Sequence, residues 1–310
     1  MLKEKLNKTA CLFLQISLDE KFPFDRYDSL SCDAIASFEN FHKDVDIFFI
    51  TNENLSEYVD LFNTKETVDI YDNLGILKFI LARHIMSFYG YEKIMSFGVD
   101  TITCCRLDEF MDDSTDILAT LNYPCQESTE YWKSPYIKYE VNGKFFEDHG
   151  NINADVVCFN NIKALDAVIQ LSIDHFSYFA EQGSLNEMAW VTKTYNTKIV
   201  DFPYPTSQVV YNARSKGVPG TNMIKNGVLA KLGSFDGRPS PTTLFNVKEG
   251  KLYTHDGKKI CVFHYVEGLG GRPIKEFNEV LEDFKTWFNP ETINFFRENC
   301  SCKLFDKKLT

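Results

Sequence analysis

The chain has 310 residues, 44% of them hydrophobic, and a formal net charge of −11. That length suits one large α/β domain or two small ones, and the composition supplies a sizeable core. The acids are spread out and no long basic run occurs, which speaks against a nucleic-acid-binding surface. No run reaches the ~18 apolar residues of a membrane-spanning helix.

In chain order, the first element is an apolar run over 10–16 behind a charged amino terminus. It is followed by Ser17-Leu18-Asp19-Glu20-Lys21 and not by a small-residue cleavage site, so it reads as a strand over 10–17 and not as a signal peptide. A cytoplasmic protein is expected. Residues 32–42 read as a helix with Ser31 available as its N-cap. Residues 45–50 read as a buried strand, 54–62 as a short helix and 67–71 as a strand. Leu74, Leu77, Leu81, Ile85 and Phe88 recur at three- and four-residue spacing, which predicts a helix over 73–89 closed by Gly90. A strand over 93–99 ends at Asp100. This βαβαβ order implies a mostly parallel sheet with helices on its faces.

Residues 123–150 read as a polar, aromatic insertion in which Asn142-Gly143 signals a hairpin. Strands are then expected over 153–159 and 197–202, and helices over 162–179 and 185–195. A proline- and glycine-rich connection leads to strands over 244–247, 251–253 and 259–265, joined by turns at Glu249-Gly250 and Asp256-Gly257. Phe277, Val280, Leu281, Phe284, Trp287 and Phe288 form a last helical stripe, expected to end near Asn289-Pro290. The division expected is a single domain over 1–289 and a tail over 290–310. Nine cysteines without a Cys-x-x-Cys pair point to reduced thiols, not a disulfide framework. Cys300 and Cys302 have no further ligands nearby for zinc.

An acid at the carboxyl end of a buried strand stands where open α/β sheets bind their ligands, and it suits a hard divalent cation. Around Asp100 the order is Lys78 on a helix, Tyr91-Glu92-Lys93, an apolar strand, Gly98-Val99-Asp100-Thr101, and Leu107-Asp108-Glu109-Phe110. Further segments follow: Asn153-Ala154 opening a buried strand, Glu181-Gln182-Gly183-Ser184-Leu185-Asn186, and Phe263-His264-Tyr265-Val266-Glu267-Gly268 with Arg272-Pro273. Together, over about residues 10–273, these resemble glycosyltransferase family 8, the family of glycogenin and the lipopolysaccharide galactosyltransferases.

The resemblance implies a GT-A, Rossmann-like fold, a mixed and mostly parallel sheet flanked by helices with hairpin insertions. It implies retaining transfer of a sugar from a nucleoside diphosphate sugar, a UDP-sugar, to a hydroxyl of a carbohydrate or glycosylated acceptor. Asp100 and His264 would hold Mn²⁺ or Mg²⁺. Lys78, Thr101, Asn153, Gly268 and Arg272 would bind the donor. Glu181 and Gln182 would lie at the anomeric carbon, with Asp155 as a further catalytic carboxylate.

This chain also departs from the family's pattern. Gly98 stands where the family has the first acid of Asp-x-Asp-Thr, Asp155 where it has glycine, and Ile274 where it has tryptophan. Two rival readings follow. One is a protein of the same fold that binds sugar nucleotides without turnover. The other is a nucleotidyltransferase, against which the absence of glycine in Gln15-Ile16-Ser17-Leu18-Asp19-Glu20 counts.

Overall fold

The computed structural model describes residues 7–16, 27–59, 74–123, 152–174, 180–200, 204–205, 245–254, 257, 259–264 and 289–299. The expected strand at 67–71, the insertion hairpin and the helix on the 277–288 stripe lie outside these residues.

Strand β1 (Thr9–Gln15) is the middle of the parallel half of the sheet. Helix α1 (Tyr27–Phe41) leads to β2 (Asp46–Thr51), and the short α2 (Leu55–Val59) follows. Helix α3 (Leu74–Tyr89) leads to β3 (Lys93–Phe97). Next come β4 (Thr101–Thr103), a 3-10 turn at Asp108–Met111, β5 (Ile117–Tyr123) and β6 (Ile152–Phe159). Helices α4 (Ile162–Asp174) and α5 (Ala180–Glu187) precede a π-helical turn, Met188–Thr192. The remaining elements are β7 (Thr197–Ile199), β8 (Tyr204–Pro205), β9 (Phe245–Lys248), β10 (Lys251–Thr254), β11 (Val262–His264) and α6 (Pro290–Asn299).

The main sheet runs β2-β1-β3-β6-β5-β7, with β8 beside β5. Strands β1, β2 and β3 are mutually parallel, as are β5 and β7, while β6 runs against both its neighbours. The sheet is therefore mostly parallel, as the strand–helix alternation implies. Its central strands are apolar on both faces because both faces are covered.

Alternate residues of each strand feed opposite layers, as the strand period of two requires. Ala10, Leu12 and Ile94 pack with Leu77, Leu81 and Ile85 of α3 and with Leu165 and Val168 of α4. Cys11, Phe13, Met95 and Phe97 pack on the other face with Ala34 and Phe38 of α1, Phe110 and Val262.

Several boundaries differ from the sequence reading. Helix α1 begins at Tyr27, so Ser31 is a buried residue within the helix and not its cap. Strand β3 stops at Phe97, two residues early, because residues 98–100 turn away before β4. Strands β4 and β5 were not expected. Asn289-Pro290 opens a helix that was not expected; whether the preceding stripe ends there lies outside the described residues. Asn289 Oδ1 accepts the Thr292 N–H at 2.7 Å and proline occupies the first helical position, where its missing N–H costs nothing. Gly90 does close α3, at φ 70°. Glu249 and Gly250, at φ 51° and 68°, make the tight turn between β9 and β10. The six cysteines among the described residues are free thiols. Among those residues no helix is long and apolar enough to cross a membrane.

Candidate functional site

The amino-terminal edge of the sheet is structural. Tyr91 Oη donates to Asp46 Oδ2 at 2.9 Å, which also accepts the Asn7 N–H at 3.0 Å. Buried Lys93 donates to the Phe110 carbonyl at 2.9 Å and pairs with Asp113 at 2.7 Å. Tyr91 thus ties the start of β3 to β2, and Lys93 ties β3 to the 3-10 turn that follows β4.

The chemistry gathers at the opposite edge. Residues 98–101 form a turn closed by the Thr101 hydroxyl, which donates to the Gly98 carbonyl at 2.6 Å. Thr101 is buried, so its side chain shapes the turn that presents Asp100. Next to the turn, β6 bulges. Ala119 pairs with Val157 but Thr120 pairs with Asn153, so residues 154–156 are extra on the β6 side. Such bulges re-aim side chains. Asn153 Oδ1 caps this one by accepting the Asp155 N–H at 2.6 Å, and the Asp155 carbonyl accepts the Gly98 N–H at 2.9 Å.

Helices α3 and α5 complete the wall. Lys78 of α3 donates to Asp155 Oδ1 at 3.0 Å. Burial alone would lower its pKa, but the carboxylates of Asp155, Glu181 and Asp100 outweigh that and hold the ammonium above its ordinary range. Glu181, in the first turn of α5, is pushed up by burial, with Lys78 pulling down and Asp155 adding to the rise. Its carboxylate lies directly against Gly75, where any Cβ would coincide with it.

Gln182 Oε1 accepts the Ala154 N–H at 3.4 Å. Asn186 clamps α5 to β6. Its Oδ1 accepts the Ile152 N–H at 2.9 Å and its Nδ2 donates to the Ile152 carbonyl at 3.2 Å. Glu181 Oε2 and Gln182 Nε2 are buried and have no hydrogen-bond partner among the described residues.

The carboxyl-terminal segment enters through β11, which pairs antiparallel with β4 in the register His264 opposite Thr101. His264 is thereby placed by its backbone one residue from Asp100. Gly268 and Arg272 lie outside the described residues. Among those residues no three His, Cys, Asp or Glu side chains form a complete metal-ligand set.

One residue that sequence reasoning passed over is Gln15. It ends β1, is buried, and neither of its amide atoms finds a partner among the described residues. The signal was present, a polar side chain closing an apolar run at the carboxyl end of a central strand.

No protein-family model matches the chain, and no curated protein matches it in sequence. The likeness is structural. WbbM, a bifunctional glycosyltransferase, superposes with a TM-score of 0.50 at 11% identity, over 97% of this chain and 53% of WbbM. An active-site mutant of LgtC matches at TM-score 0.45 and 12% identity, over 92% of this chain and 99% of LgtC. The glycosyltransferase GlyE of Streptococcus pneumoniae TIGR4 matches at 0.45 and 12%, over 96% of this chain and 65% of GlyE. The chain therefore spans about half the length of WbbM and under two thirds of GlyE. Its fold is the mixed, mostly parallel α/β fold of GT-A glycosyltransferases.

Proposed function

We propose that this chain is a glycosyltransferase. It moves a sugar from a nucleoside diphosphate sugar, a UDP-sugar, to a carbohydrate hydroxyl with retention of configuration and with Mn²⁺ or Mg²⁺. The observation that carries this reading is the convergence of Lys78, Asp100, Asp155, Glu181 and Gln182 at the carboxyl edge of a GT-A sheet.

The donor set suits a hard divalent cation, since Asp100 offers carboxylate oxygen and the β11 register brings His264 beside it. The cation, when bound, balances negative charge on the diphosphate. Arg272, Gly268 and Asn153 are assigned to the donor on the motif resemblance alone. Lys78 orients Asp155 and sets the local potential. Glu181 and Gln182 each keep a buried polar atom without a partner among the described residues, which suits groups that meet a sugar hydroxyl or developing positive charge.

The test is a thermal-shift screen of nucleoside diphosphate sugars with and without Mn²⁺, followed by donor turnover on a carbohydrate acceptor panel. A ligand that binds only the folded state at a hundred times its Kd adds ~2.7 kcal/mol of stability, so the donor should stand out. Failure of every sugar nucleotide to stabilise the protein would refute the reading. Gly98 favours one rival, a protein that binds the donor without turning it over. Stabilisation by a donor with no transfer across the panel would establish that rival.

A further inference from the structure

Gly98 removes a carboxylate from the end of β3, yet the space it would fill is not empty. A Cβ built on Gly98 would stand 2.8 Å from Asp100 Oδ1, 3.1 Å from Asp155 Cβ and 3.3 Å from Asp155 Cγ. Side chains of both aspartates converge on one point, one from the turn after β3 and one from the bulge of β6. A side chain at 98 would displace the Asp100 carboxylate and press on Asp155, which would have to give by a few tenths of an ångström.

We propose that Asp155 supplies the metal-ligating carboxylate that position 98 lacks, so that the divalent cation is held between β3 and β6 by Asp100 and Asp155. This rests on the metal-dependent reading above.

Two neighbouring buried groups are consistent with a ligand at this edge of the sheet. The Glu181 carboxylate, 8% exposed and within electrostatic reach of Asp155 and Lys78, has a buried oxygen without a partner among the described residues. Gln182, 6% exposed, holds the residue before Asp155 through its Oε1 while its Nε2 is likewise unpartnered. Buried polar atoms left in this state call for an explanation, such as a catalytic role, a water or an ion. Accepting Lys78 does not exhaust Asp155, since a carboxylate has about four lone-pair sites. Lys78 instead fixes the carboxylate beside Gly98. Diphosphate oxygens, His264 and water would complete the coordination.

The experiment measures Mn²⁺ affinity directly, by electron paramagnetic resonance of free Mn²⁺ in the presence of UDP. Asp155→Asn, nearly isosteric, should weaken Mn²⁺ binding at least about tenfold, since even outer-shell changes cost that much. The exchange variant Gly98→Asp/Asp155→Gly should bind within about threefold of wild type, because it returns a carboxylate to the same side of Asp100. In the unaltered protein, Mn²⁺ should broaden the amide resonances of Gly98, Asp100 and Asp155 first, a readout that does not depend on any variant folding.

Undiminished Mn²⁺ affinity in folded Asp155→Asn, or broadening that spares Asp155, overturns this inference and leaves the glycosyltransferase reading standing. No Mn²⁺ binding by wild type overturns it together with the metal requirement, while donor stabilisation without metal still judges the broader reading.

Discussion

Glu181 and Gln182 sit where a change should act on turnover more than on donor binding. Groups that act mainly in the transition state lower kcat and leave the donor KM nearly unchanged. Glu181→Gln and Gln182→Ala are each expected to reduce kcat about a hundredfold, the cost of losing one preorganised polar group. Initial-rate kinetics with saturating acceptor check this, and wild-type kcat in both variants defeats the assignment.

His42 makes a separate prediction about pH. Its Nε2 accepts the Leu107 N–H at 3.2 Å, so the imidazole is neutral, and it stacks on Phe38 at 4.5 Å. Burial, helped by Arg106 and opposed by Asp44 and Asp108, lowers its pKa from 6.5 to about 4. The unfolded chain therefore binds more protons between those values. The stabilisation is fully present above the unfolded pKa and is lost as pH falls through the folded one, at most about 3 kcal/mol. Urea midpoints compared at about pH 7.5 and about pH 4.5 should differ in wild type, and clearly less in His42→Gln.

At the scale of elements, the site depends on how closely two helices meet. Gly75 and Lys78 are one turn apart on α3, so both face α5. Alanine at 75 would claim the space of the Glu181 carboxylate, but that carboxylate ends a flexible side chain and can move. Helix propensity favours alanine by about 1 kcal/mol. Gly75→Ala should therefore keep its stability within about 1 kcal/mol of wild type and still lose turnover as Glu181→Gln does. Urea denaturation and transfer rates, measured together, separate the two effects. A collapse of stability would mean that rigid packing, not a movable carboxylate, fills the space.

At the scale of the molecule, the carboxyl-terminal residues return to the body of the fold. Phe296 of α6 is fully buried and packs at a tilt against Phe263 of β11, ring centres 5.1 Å apart, one residue before His264. The expected tail thus opens as a packed helix that braces the strand beside Asp100. Phe296→Ala should cost about 3–5 kcal/mol, as large aromatic deletions in cores do. Equilibrium urea unfolding measures it, and a loss below about 1 kcal/mol would show that the site relaxes around the gap.

Much of this architecture was legible in the residues. The runs that became β1, β2 and β3 are apolar because both faces of the sheet are covered, and Leu77, Leu81 and Ile85 of the α3 stripe are buried while Phe88 at its end is exposed. Glu249-Gly250 announces its turn because only certain residues tolerate positive φ. Asp100 stands out as an acid ending an apolar strand. Strand β5 was missed although Pro124 bounds it, because it follows closely on the 3-10 turn at Asp108–Met111 and was absorbed into the irregular stretch before the insertion.

The reversed direction of β6 and its bulge were also beyond sequence reasoning. Strand direction and register are fixed by partners distant in the chain, not by local pattern. For the same reason, Gly98 read in sequence is only a lost acid. Only the pairing of β3 with β6 brings Asp155 to the same point, because a side chain's neighbours across a sheet are set by register between strands more than fifty residues apart.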